Sequence, residues 1–303
     1  MQNQLTANMP EWTILKLLKW TNSYFHSHKI DSPRAASEIL LAHALGLQRI
    51  DLYLQYDKPL SGDELKVYKS LIKRRVAKEP VAYIVGFKEF WSMDIEVTRD
   101  VLIPRPETEC LIEALLSIMP KKLKPVPLRL LDLGTGSGVI ILAIAAERPG
   151  NLFFASDISK KALNLALRNG RRNNLDGKIF FFCGDWFSSL NELKYKFDII
   201  VSNPPYIKKE VIPTLQSEIY RYEPLVALDG GKDGLDSLKF IISRAHAYLN
   251  DRGYLLLEMG DDQLIDVENI IQACGKYDCV KFLKDYSGYN RIVSLRKKVR
   301  RKN

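Results

Sequence analysis

Short apolar segments rich in β-branched residues alternate with helical segments over the second half of the chain. The strand-like segments fall at residues 128–133, 152–157, 178–183, 197–203 and 253–259, and helical patterns fall at 138–148, 160–173 and 234–249. Strands that alternate with helices pair in parallel, so this pattern predicts an α/β fold with a doubly wound sheet. Two further strand-like segments, 280–284 and 291–295, flank a turn and predict an antiparallel hairpin that closes the sheet edge.

The first 80 residues predict a separate, small helical domain. Apolar residues recur at helical intervals over residues 11–28, and Pro33 is a start signal for a second helix. Ser61 and Glu64 have the spacing of a capping box and open a third helix. We therefore assign residues 1–80 to this domain.

A change of pattern after residue 80 predicts a connecting hairpin. Residues 81–85 and 93–97 are short β-type segments, which indicate a β-hairpin within a linker at residues 81–105. Pro106 can then begin a helix, because a proline is tolerated in the first turn. The sheet domain is expected at residues 106–303.

The charge of the chain is concentrated at its carboxyl end. With 45 lysine and arginine residues against 36 acidic residues, the net charge is +9. Six basic residues and no acidic residue fall within residues 296–303, so the remainder carries 39 minus 36, or +3. A nucleic-acid enzyme would need basic residues spread over its body, and we therefore expect no direct nucleic-acid substrate.

The sequence also lacks the patterns of membrane, secreted and metal-binding proteins. No uninterrupted apolar stretch approaches the ~18 residues of a membrane helix, and the amino terminus lacks a signal-peptide profile. The four cysteines show no paired CxxC spacing and only four histidines could join them, so we expect no metal site. We expect a cytoplasmic monomer with no membrane partner.

The apolar segment at 197–202 ends abruptly at Asn203, Pro204, Pro205 and Tyr206. Because a proline cannot donate to a strand ladder, the chain must turn out of the sheet there. Each proline fixes its own φ and restricts the preceding residue, so Asn203 and Pro204 are held with little freedom. The Asn203 side-chain oxygen and the Pro204 carbonyl are therefore predicted to be fixed hydrogen-bond acceptors.

Two fixed acceptors suit a planar amide or aromatic amine as the reacting group. Such a nitrogen is a poor nucleophile because its lone pair is delocalised, but two bound N–H groups leave the lone pair free to face an electrophile. Tyr206 would add a flat apolar wall. We interpret Asn203, Pro204 and Tyr206 as catalytic, and the same residues with Pro205 as the substrate pocket. By itself the tetrapeptide also fits a tight turn capped by Asn203.

A glycine-rich turn follows the first strand of the alternating region. Gly134, Thr135, Gly136, Ser137 and Gly138 lie between that strand and an apolar helix. Glycine lets the backbone approach a ligand without an intervening Cβ. The spacing is GxGxG, whereas dinucleotide-binding proteins have GxGxxG, so a compact nucleoside is the better match.

Acidic residues follow the next two strands. Asp157 ends the second strand, where a carboxylate can accept from both hydroxyls of a ribose. After the third strand, Asp185 can accept from the amine of adenine, and Trp186 can contact the ring. Taken singly, these residues could be a helix cap or core residues. Because carboxyl ends of parallel strands face one crevice, together with Asn203 they indicate S-adenosylmethionine beside an amino acceptor.

With these motifs, the sequence resembles the release-factor glutamine methyltransferases, the HemK/PrmC family. The resemblance covers nearly the whole chain and rests on residues 89–91, 101–109, 131–138, 203–207, 222–224 and 227–236. Segments 101–109 and 227–236 are the most specific, because amino-methyltransferases of DNA and RNA share Asn-Pro-Pro-Tyr.

The resemblance implies a Rossmann-like S-adenosylmethionine-dependent methyltransferase sheet, with the helical domain serving substrate recognition. It implies methyl transfer from S-adenosylmethionine to the side-chain amide nitrogen, N5, of the glutamine in the Gly-Gly-Gln motif of peptide-chain release factors. Residues 134–138, Asp157, Trp186 and Asn203 match the cofactor contacts of the family, and residues 203–206 match its glutamine pocket. We expect positioning to supply most of the rate and name no general base.

Three other functions share parts of this pattern. A paralogue could methylate a glutamine of a ribosomal protein and would differ only in substrate. A nucleic-acid enzyme could methylate the amino group of adenine or guanine, although the charge distribution does not favour it. A binding module could keep the fold without turnover, but the intact segment 203–206 argues against that.

Overall fold

The computed structural model describes residues 12–120 and 126–299 of the chain. The chain divides into two compact units, Met1–Gly86 and Phe87–Asn303. Residue 11, where we expected the first helix to begin, and residues 300–303 of the basic tail lie outside the described residues. Across the described residues, no helix has the length and apolar character needed to cross a bilayer, and no group of three potential metal ligands occurs.

Within its described residues, the first unit contains five helices around a small core. They are α1 (Ile14–Ser27), α2 (Pro33–Leu45), α3 (Arg49–Leu54), α4 (Gly62–Val76) and α5 (Val81–Val85). The core includes Phe25, Leu41 and Tyr68. The predicted capping box is confirmed, since Ser61 N–H donates to Glu64 Oε2 at 2.7 Å and Glu64 N–H to Ser61 Oγ at 3.3 Å. Helix α3 was not predicted.

The prediction of a strand at residues 81–85 was wrong, because Val81–Val85 forms α5. Pro80 precedes the helix with φ of −57°, and Gly86 ends it with φ of +85°. Ile84 is buried in the helical core, so tertiary packing overrides the preference of β-branched residues for strands.

The connecting hairpin begins after Gly86. Strand β1 (Phe87–Phe90) pairs antiparallel with β2 (Met93–Glu96). Trp91 and Ser92 join them with φ of 50° and 55°, the conformation of a two-residue hairpin turn. The first strand of the hairpin therefore lies at residues 87–90 and not at 81–85, whereas the second strand falls within the predicted segment 93–97.

Among the described residues of the second unit, seven strands form one large sheet. They are β3 (Arg129–Leu133), β4 (Leu152–Asp157), β5 (Ile179–Cys183), β6 (Phe197–Ser202), β7 (Leu249–Glu258), β8 (Tyr277–Lys284) and β9 (Asn290–Lys297), in the order β5-β4-β3-β6-β7-β9-β8. The first five strands run parallel, while β9 pairs antiparallel with both β7 and β8. The predicted α/β fold with an antiparallel hairpin at one edge is confirmed.

Helices accompany this sheet along the chain. They are α6 (Glu107–Ile118), α7 (Val139–Glu147), α8 (Lys160–Arg172), α9 (Ser217–Tyr222), α10 (Asp236–Tyr248) and α11 (Leu264–Cys274). Helix α7 follows the glycine turn and is buried over most of its length, as its continuous apolar sequence requires. Helix α10 buries Leu238 and Ile242 in one core with Ile200 and Leu255 of the sheet. Helices α9 and α11 were not predicted.

The strand order reverses beside β3, and this reversal positions the site. The chain runs outward from β3 to β4 and β5, then returns to β6 on the other side of β3. Leu133 is level with Ser156 of β4 and with Ser202 of β6. The turns that leave these three strands therefore open at one level, where open α/β sheets bind ligands.

Candidate active site

The glycine turn after β3 is held in a conformation that glycine favours. Gly134 and Gly136 have φ of +70° and +57°. Thr135 N–H donates to the Ser156 carbonyl at 2.9 Å, which fixes the turn against β4. A Cβ on Gly134 would make an ordinary contact with the Trp186 ring at 3.6 Å, so the positive φ, and not lack of space, favours glycine at this position.

Gly138 has a different role from the rest of the turn. It precedes α7 with φ of +89°, and a Cβ there would approach Ala166 Cβ and Leu142 Cδ1 to 3.1 Å. These contacts are tighter than most Cβ contacts, so Ala166 of α8 and Leu142 of α7 would each have to shift by a few tenths of an ångström. Gly138 serves the packing of the two helices beneath the turn.

A buried aspartate on β3 supports the same turn and was not identified from the sequence. Asp132 is fully buried, and its Oδ2 accepts from Thr135 Oγ1 at 2.7 Å. Burial raises the pKa of Asp132 to about 7, although the hydrogen bond from Thr135 opposes the shift.

Asp157 ends β4, as predicted, and faces the glycine turn. Its Oδ2 accepts from Gly136 N–H at 2.9 Å and its Oδ1 from Ser159 N–H at 2.8 Å. Burial raises the pKa of Asp157, whereas these backbone bonds favour the ionised form. Each carboxylate oxygen retains a further lone pair, so both can still accept from a ligand hydroxyl.

Asp185 and Trp186 follow β5, as predicted. Trp186 has φ of +48° and is half-buried, which places its ring against Gly134. Asp185 is exposed, and its backbone exchanges hydrogen bonds with Ser188. In the described part of the chain, no group donates to the Asp185 carboxylate, which leaves it available as an acceptor.

Asn203 leaves β6 with its side-chain amide held by a neighbouring helix. Asn203 Nδ2 lies 3.2 Å from Thr108 Oγ1, in the first turn of α6. Next to it, Ser202 Oγ donates to the Leu133 carbonyl at 2.6 Å, which joins the ends of β6 and β3. Among residues 12–120 and 126–299, no group donates to Asn203 Oδ1.

The rest of the turn lies partly beneath the surface. Pro204 is buried, and Pro205 and Tyr206 are half-buried. Tyr206 Oη donates to Glu258 Oε1 at 3.1 Å, at the end of β7. Burial raises the pKa of the Tyr206 hydroxyl, so it stays protonated and donates.

The segment at 227–236 forms hydrogen bonds with the residue that follows the turn at 203–206. Ile207 N–H donates to the Leu228 carbonyl at 3.1 Å, and Gly230 N–H donates to the Ile207 carbonyl at 2.9 Å. Gln263 Nε2 donates to the carbonyls of Tyr206 and Gly234, each at 3.0 Å. The glycines of this motif therefore allow close backbone contact with the residues after Pro205.

A buried ion pair joins the segments before α6 and after α9. Arg105 Nη2 lies 2.5 Å from Glu223 Oε1, and Ile103 N–H donates to Glu223 Oε2 at 3.2 Å. Burial raises the pKa of Glu223, and the Arg105 charge opposes that shift. Two of the stretches that carried the resemblance, 101–109 and 222–224, are thus in direct contact.

These elements enclose a cavity of about 280 Å³. The predicted site residues that line it are Gly134, Thr135, Gly136, Ser137, Asp157, Asp185, Trp186, Asn203 and Pro205. Thr108, Arg105 and Val226 also line it and were not among the predicted site residues. Gly138, Pro204 and Tyr206 are not at the cavity surface, because they pack beneath the turns that form it.

The cavity fits a cationic nucleoside such as S-adenosylmethionine. Where the chain is described, the charged lining residues are Asp100, Asp157, Asp185 and Asp229 against a single arginine, Arg105. Because Arg105 is paired with buried Glu223, little positive charge is left for a pyrophosphate. The acidic lining complements a sulfonium and an ammonium group. The bare backbone at Gly134 and Gly136 supplies the close approach that the ligand requires.

Two family models match this chain. The first, described as the PrmC N-terminal domain, matches residues 16–86. The second, described as the methyltransferase small domain, matches residues 111–221. One match therefore falls on the helical unit and the other on the unit that holds the cavity.

Curated relatives extend the similarity over nearly the whole chain. A release factor glutamine methyltransferase of Geobacter sulfurreducens is 40% identical over 292 residues, which cover 96% of this chain and 99% of the relative. A protein of the same name from Rhodopirellula baltica is 37% identical over 294 residues, with coverage of 96% and 99%.

Solved structures share the fold at lower identity. A methyltransferase from Pyrococcus furiosus is 20% identical with a TM-score of 0.51 and covers 75% of this chain and 98% of its own. The human methyltransferase 10 domain containing protein is 17% identical with a TM-score of 0.51, covering 76% and 97%. These two likenesses support the methyltransferase sheet alone.

Proposed function

Because the chain belongs to the family of release factor glutamine methyltransferases, we propose that it methylates release factors at one glutamine. The methyl group passes from S-adenosylmethionine, which leaves as S-adenosylhomocysteine, to the amide nitrogen, N5, of the glutamine in the Gly-Gly-Gln motif. The methylated nitrogen is strongly acidic while it carries the positive charge, and it releases one N–H proton without a strong base. One observation carries this proposal: Asn203 lines the cavity with Oδ1 unused, while its Nδ2 is held by Thr108. A free amide oxygen on a fixed side chain is an acceptor for a carboxamide N–H.

A second acceptor follows Asn203 directly in the turn. In the described residues, no group donates to the Pro204 carbonyl. Two adjacent acceptors match the two N–H bonds of a primary carboxamide. The aliphatic and ring atoms of Pro205 and Val226 add apolar walls to the cavity and limit the access of water to the bound amide.

The opposite wall of the cavity would hold the cofactor. S-adenosylmethionine supplies an electrophilic methyl group when it is bound. Asp157 would accept from the ribose hydroxyls, Asp185 from the adenine amine, and Trp186 would contact the ring. The turn at Gly134 would let the ligand lie close to the backbone.

Positioning is the main contribution of the chain to catalysis. Asn203 accepts one carboxamide N–H from the cavity wall, and the Pro204 carbonyl, which lies beneath the cavity surface, would have to come within reach of the other to fix the plane of the amide. The nitrogen lone pair then lies perpendicular to that plane and faces the space beside the glycine turn. Holding both reactants in this geometry converts a bimolecular step into an effectively unimolecular one, which lowers the entropic part of the barrier.

We propose that the helical unit recognises the release factor. Ile50, Tyr53 and Leu54 at α3 are 64%, 47% and 74% exposed, so large apolar side chains lie open on one short helix. Replacing Leu54 by Ser should raise the KM for the intact release factor and leave transfer to a short Gly-Gly-Gln peptide unchanged. An equal effect on protein and peptide would reject this role.

Labelled S-adenosylmethionine tests the proposed function. The enzyme is incubated separately with purified release factors, ribosomal proteins, DNA and RNA, and mass spectrometry locates the label. Label should appear on the glutamine of the Gly-Gly-Gln motif and be absent from a release factor in which that glutamine is glutamate. Label on a ribosomal protein or on a base instead would reject the proposal.

The Asn203→Ala variant separates binding from transfer in the same assay. It should abolish labelling of the release factor while it retains most of the affinity for S-adenosylhomocysteine, because Asp157 and the glycine turn are intact. Turnover at the wild-type rate would contradict the role of Asn203.

We place this reaction in the cytoplasm and assign it to a monomer. Size-exclusion chromatography of the purified enzyme can test the oligomeric state.

A further inference from the structure

A buried carboxylate lies behind Asn203 and is outside the cavity lining. Glu258, the last residue of β7, is 1% exposed. Its Oε2 accepts from Thr108 Oγ1 at 2.8 Å, and its Oε1 accepts from Tyr206 Oη at 3.1 Å. Thr108, which is 2% exposed, also lies 3.2 Å from Asn203 Nδ2. One hydrogen-bonded chain thus connects Glu258, through Thr108, to Asn203.

The donors in this chain fix the direction of each bond. An ionised carboxylate can only accept, so the single hydroxyl hydrogen of Thr108 points to Glu258. Only lone pairs of Thr108 then face Asn203, and a lone pair accepts from N–H and repels a carbonyl oxygen. The Asn203 amide must therefore turn Nδ2 toward Thr108 and keep Oδ1 for the ligand.

We propose that Glu258, acting through Thr108, is a positioning residue that keeps Asn203 Oδ1 facing the carboxamide of the substrate. This inference rests on the proposed function, because it names the acceptor atom for the glutamine. With the amide turned over, Nδ2 would face the N–H groups of the substrate. Two donors would then oppose each other, and the carboxamide would lose the bond that orients it.

The protonation state of Glu258 sets the direction of the hydrogen bonds that link Glu258, Thr108 and Asn203. Burial raises the pKa of Glu258 to about 7, while the bonds from Thr108 and Tyr206 and the charge of Arg291 lower it and Glu107 raises it. Protonated Glu258 can donate to Thr108, whose own hydrogen is then free to bind Asn203 Oδ1. Methyl transfer therefore falls as the pH drops through the pKa of Glu258.

Two substitutions of Thr108 test the hydrogen-bonded connection between Glu258 and Asn203. Thr108→Val keeps the shape of the side chain and removes the hydroxyl, so kcat for release factor should fall by about 10–100-fold. Its affinity for S-adenosylhomocysteine should stay within about threefold of the wild type. Thr108→Ser restores the hydroxyl and should recover most of the rate. These outcomes would support the proposal.

The pH profile supplies a readout that a structural role would not change. Wild-type kcat should rise with an apparent pKa near 7. In Thr108→Val and in Glu258→Gln, this rise should disappear, because Glu258 no longer controls Asn203. If Thr108→Val does not fold, Glu258→Gln alone decides the question.

Two failures are distinguishable in these assays. If the wild type transfers no label to the release factor, the proposed function is wrong. If the wild type is active and the variants match its kcat and its pH profile, the positioning role of Glu258 is wrong and the proposed function stands. A fall in kcat with the pH profile unchanged also overturns the positioning role.

Discussion

Arg105 and Glu223 lie 118 residues apart in the chain and are joined at 2.5 Å beside the active-site cavity. The Glu223 carboxylate is 1% exposed, whereas Arg105 is 29% exposed and lines the cavity. The pair therefore ties the segment before α6 to the segment after α9. Both segments contribute cavity walls, through Pro104 and Pro224.

Removing one member of this pair should cost more than removing both. Arg105→Ala leaves a buried charge on Glu223 and should lower the free energy of unfolding by about 3 kcal/mol. The double variant Arg105→Met with Glu223→Met removes both charges, so its free energy of unfolding should fall by less than that of Arg105→Ala. Urea unfolding of the two variants measures the difference. Equal losses would mean that the Glu223 carboxylate is stabilised without Arg105.

The glycine motif behind Asn203 should not accept a side chain at Gly230. An added Cβ would lie 2.7 Å from the Gly234 carbonyl oxygen and 2.8 Å from Tyr206 Cα. Backbone cannot move aside cheaply, so Gly230→Ala should lower the free energy of unfolding by about 3 kcal/mol. Gly62→Ala is the matched control, because no atom lies within 4 Å of its added Cβ. Thermal unfolding that ranks the two variants equally would contradict this packing.

Asp157→Asn should weaken cofactor binding. Both carboxylate oxygens accept from backbone N–H groups, and an amide would place a donor against the N–H of Gly136 or Ser159. Affinity for S-adenosylhomocysteine should fall by about 10–100-fold in calorimetric titration. Exposed Asp176→Asn serves as the control. Unchanged affinity in Asp157→Asn would remove this residue from the cofactor site.

The helical unit should lose stability in acid through Glu38. Burial raises the pKa of Glu38, but hydrogen bonds from Tyr53, Arg49 and Arg34 outweigh it and lower the pKa to about 2. A carboxylate with a depressed folded pKa stabilises the fold above its unfolded pKa, and that stability is lost as the pH falls toward 2.

Glu38→Gln should therefore lower the free energy of unfolding at pH 7 by about 1–2 kcal/mol. In this variant the free energy of unfolding should also decrease less steeply as the pH falls. The comparison is chemical denaturation at several pH values between about 5 and 2. Asp63→Asn is the control, since its pair with Lys66 is exposed and such pairs contribute little. An acid limb as steep in Glu38→Gln as in the wild type would contradict the assignment.

Local sequence patterns predicted the elements that end in functional residues. Strand β4 was placed at its observed bounds, and Asp157 follows from the carboxyl end of that strand. Asn203 could be located because two prolines stop β6 whatever the tertiary context. In these cases the deciding interactions lie within a few residues along the chain.

Long-range packing decided the features that the sequence did not predict. Val81–Val85 is helical because it joins a helical core, although its β-branched composition favours a strand. Thr108 and Glu258 are 150 residues apart, and neither belongs to a pattern that points to the other. Tyr206 was expected to wall the cavity, but its hydroxyl binds Glu258 beneath it. Only the fold reveals these contacts.

The most direct measurement is a crystal structure of the enzyme with S-adenosylhomocysteine and a Gly-Gly-Gln peptide. The account predicts that the glutamine nitrogen lies within about 3.2 Å of Asn203 Oδ1, while Nδ2 still contacts Thr108. A glutamine side chain bound away from Asn203, or an Asn203 amide released from Thr108, would contradict it.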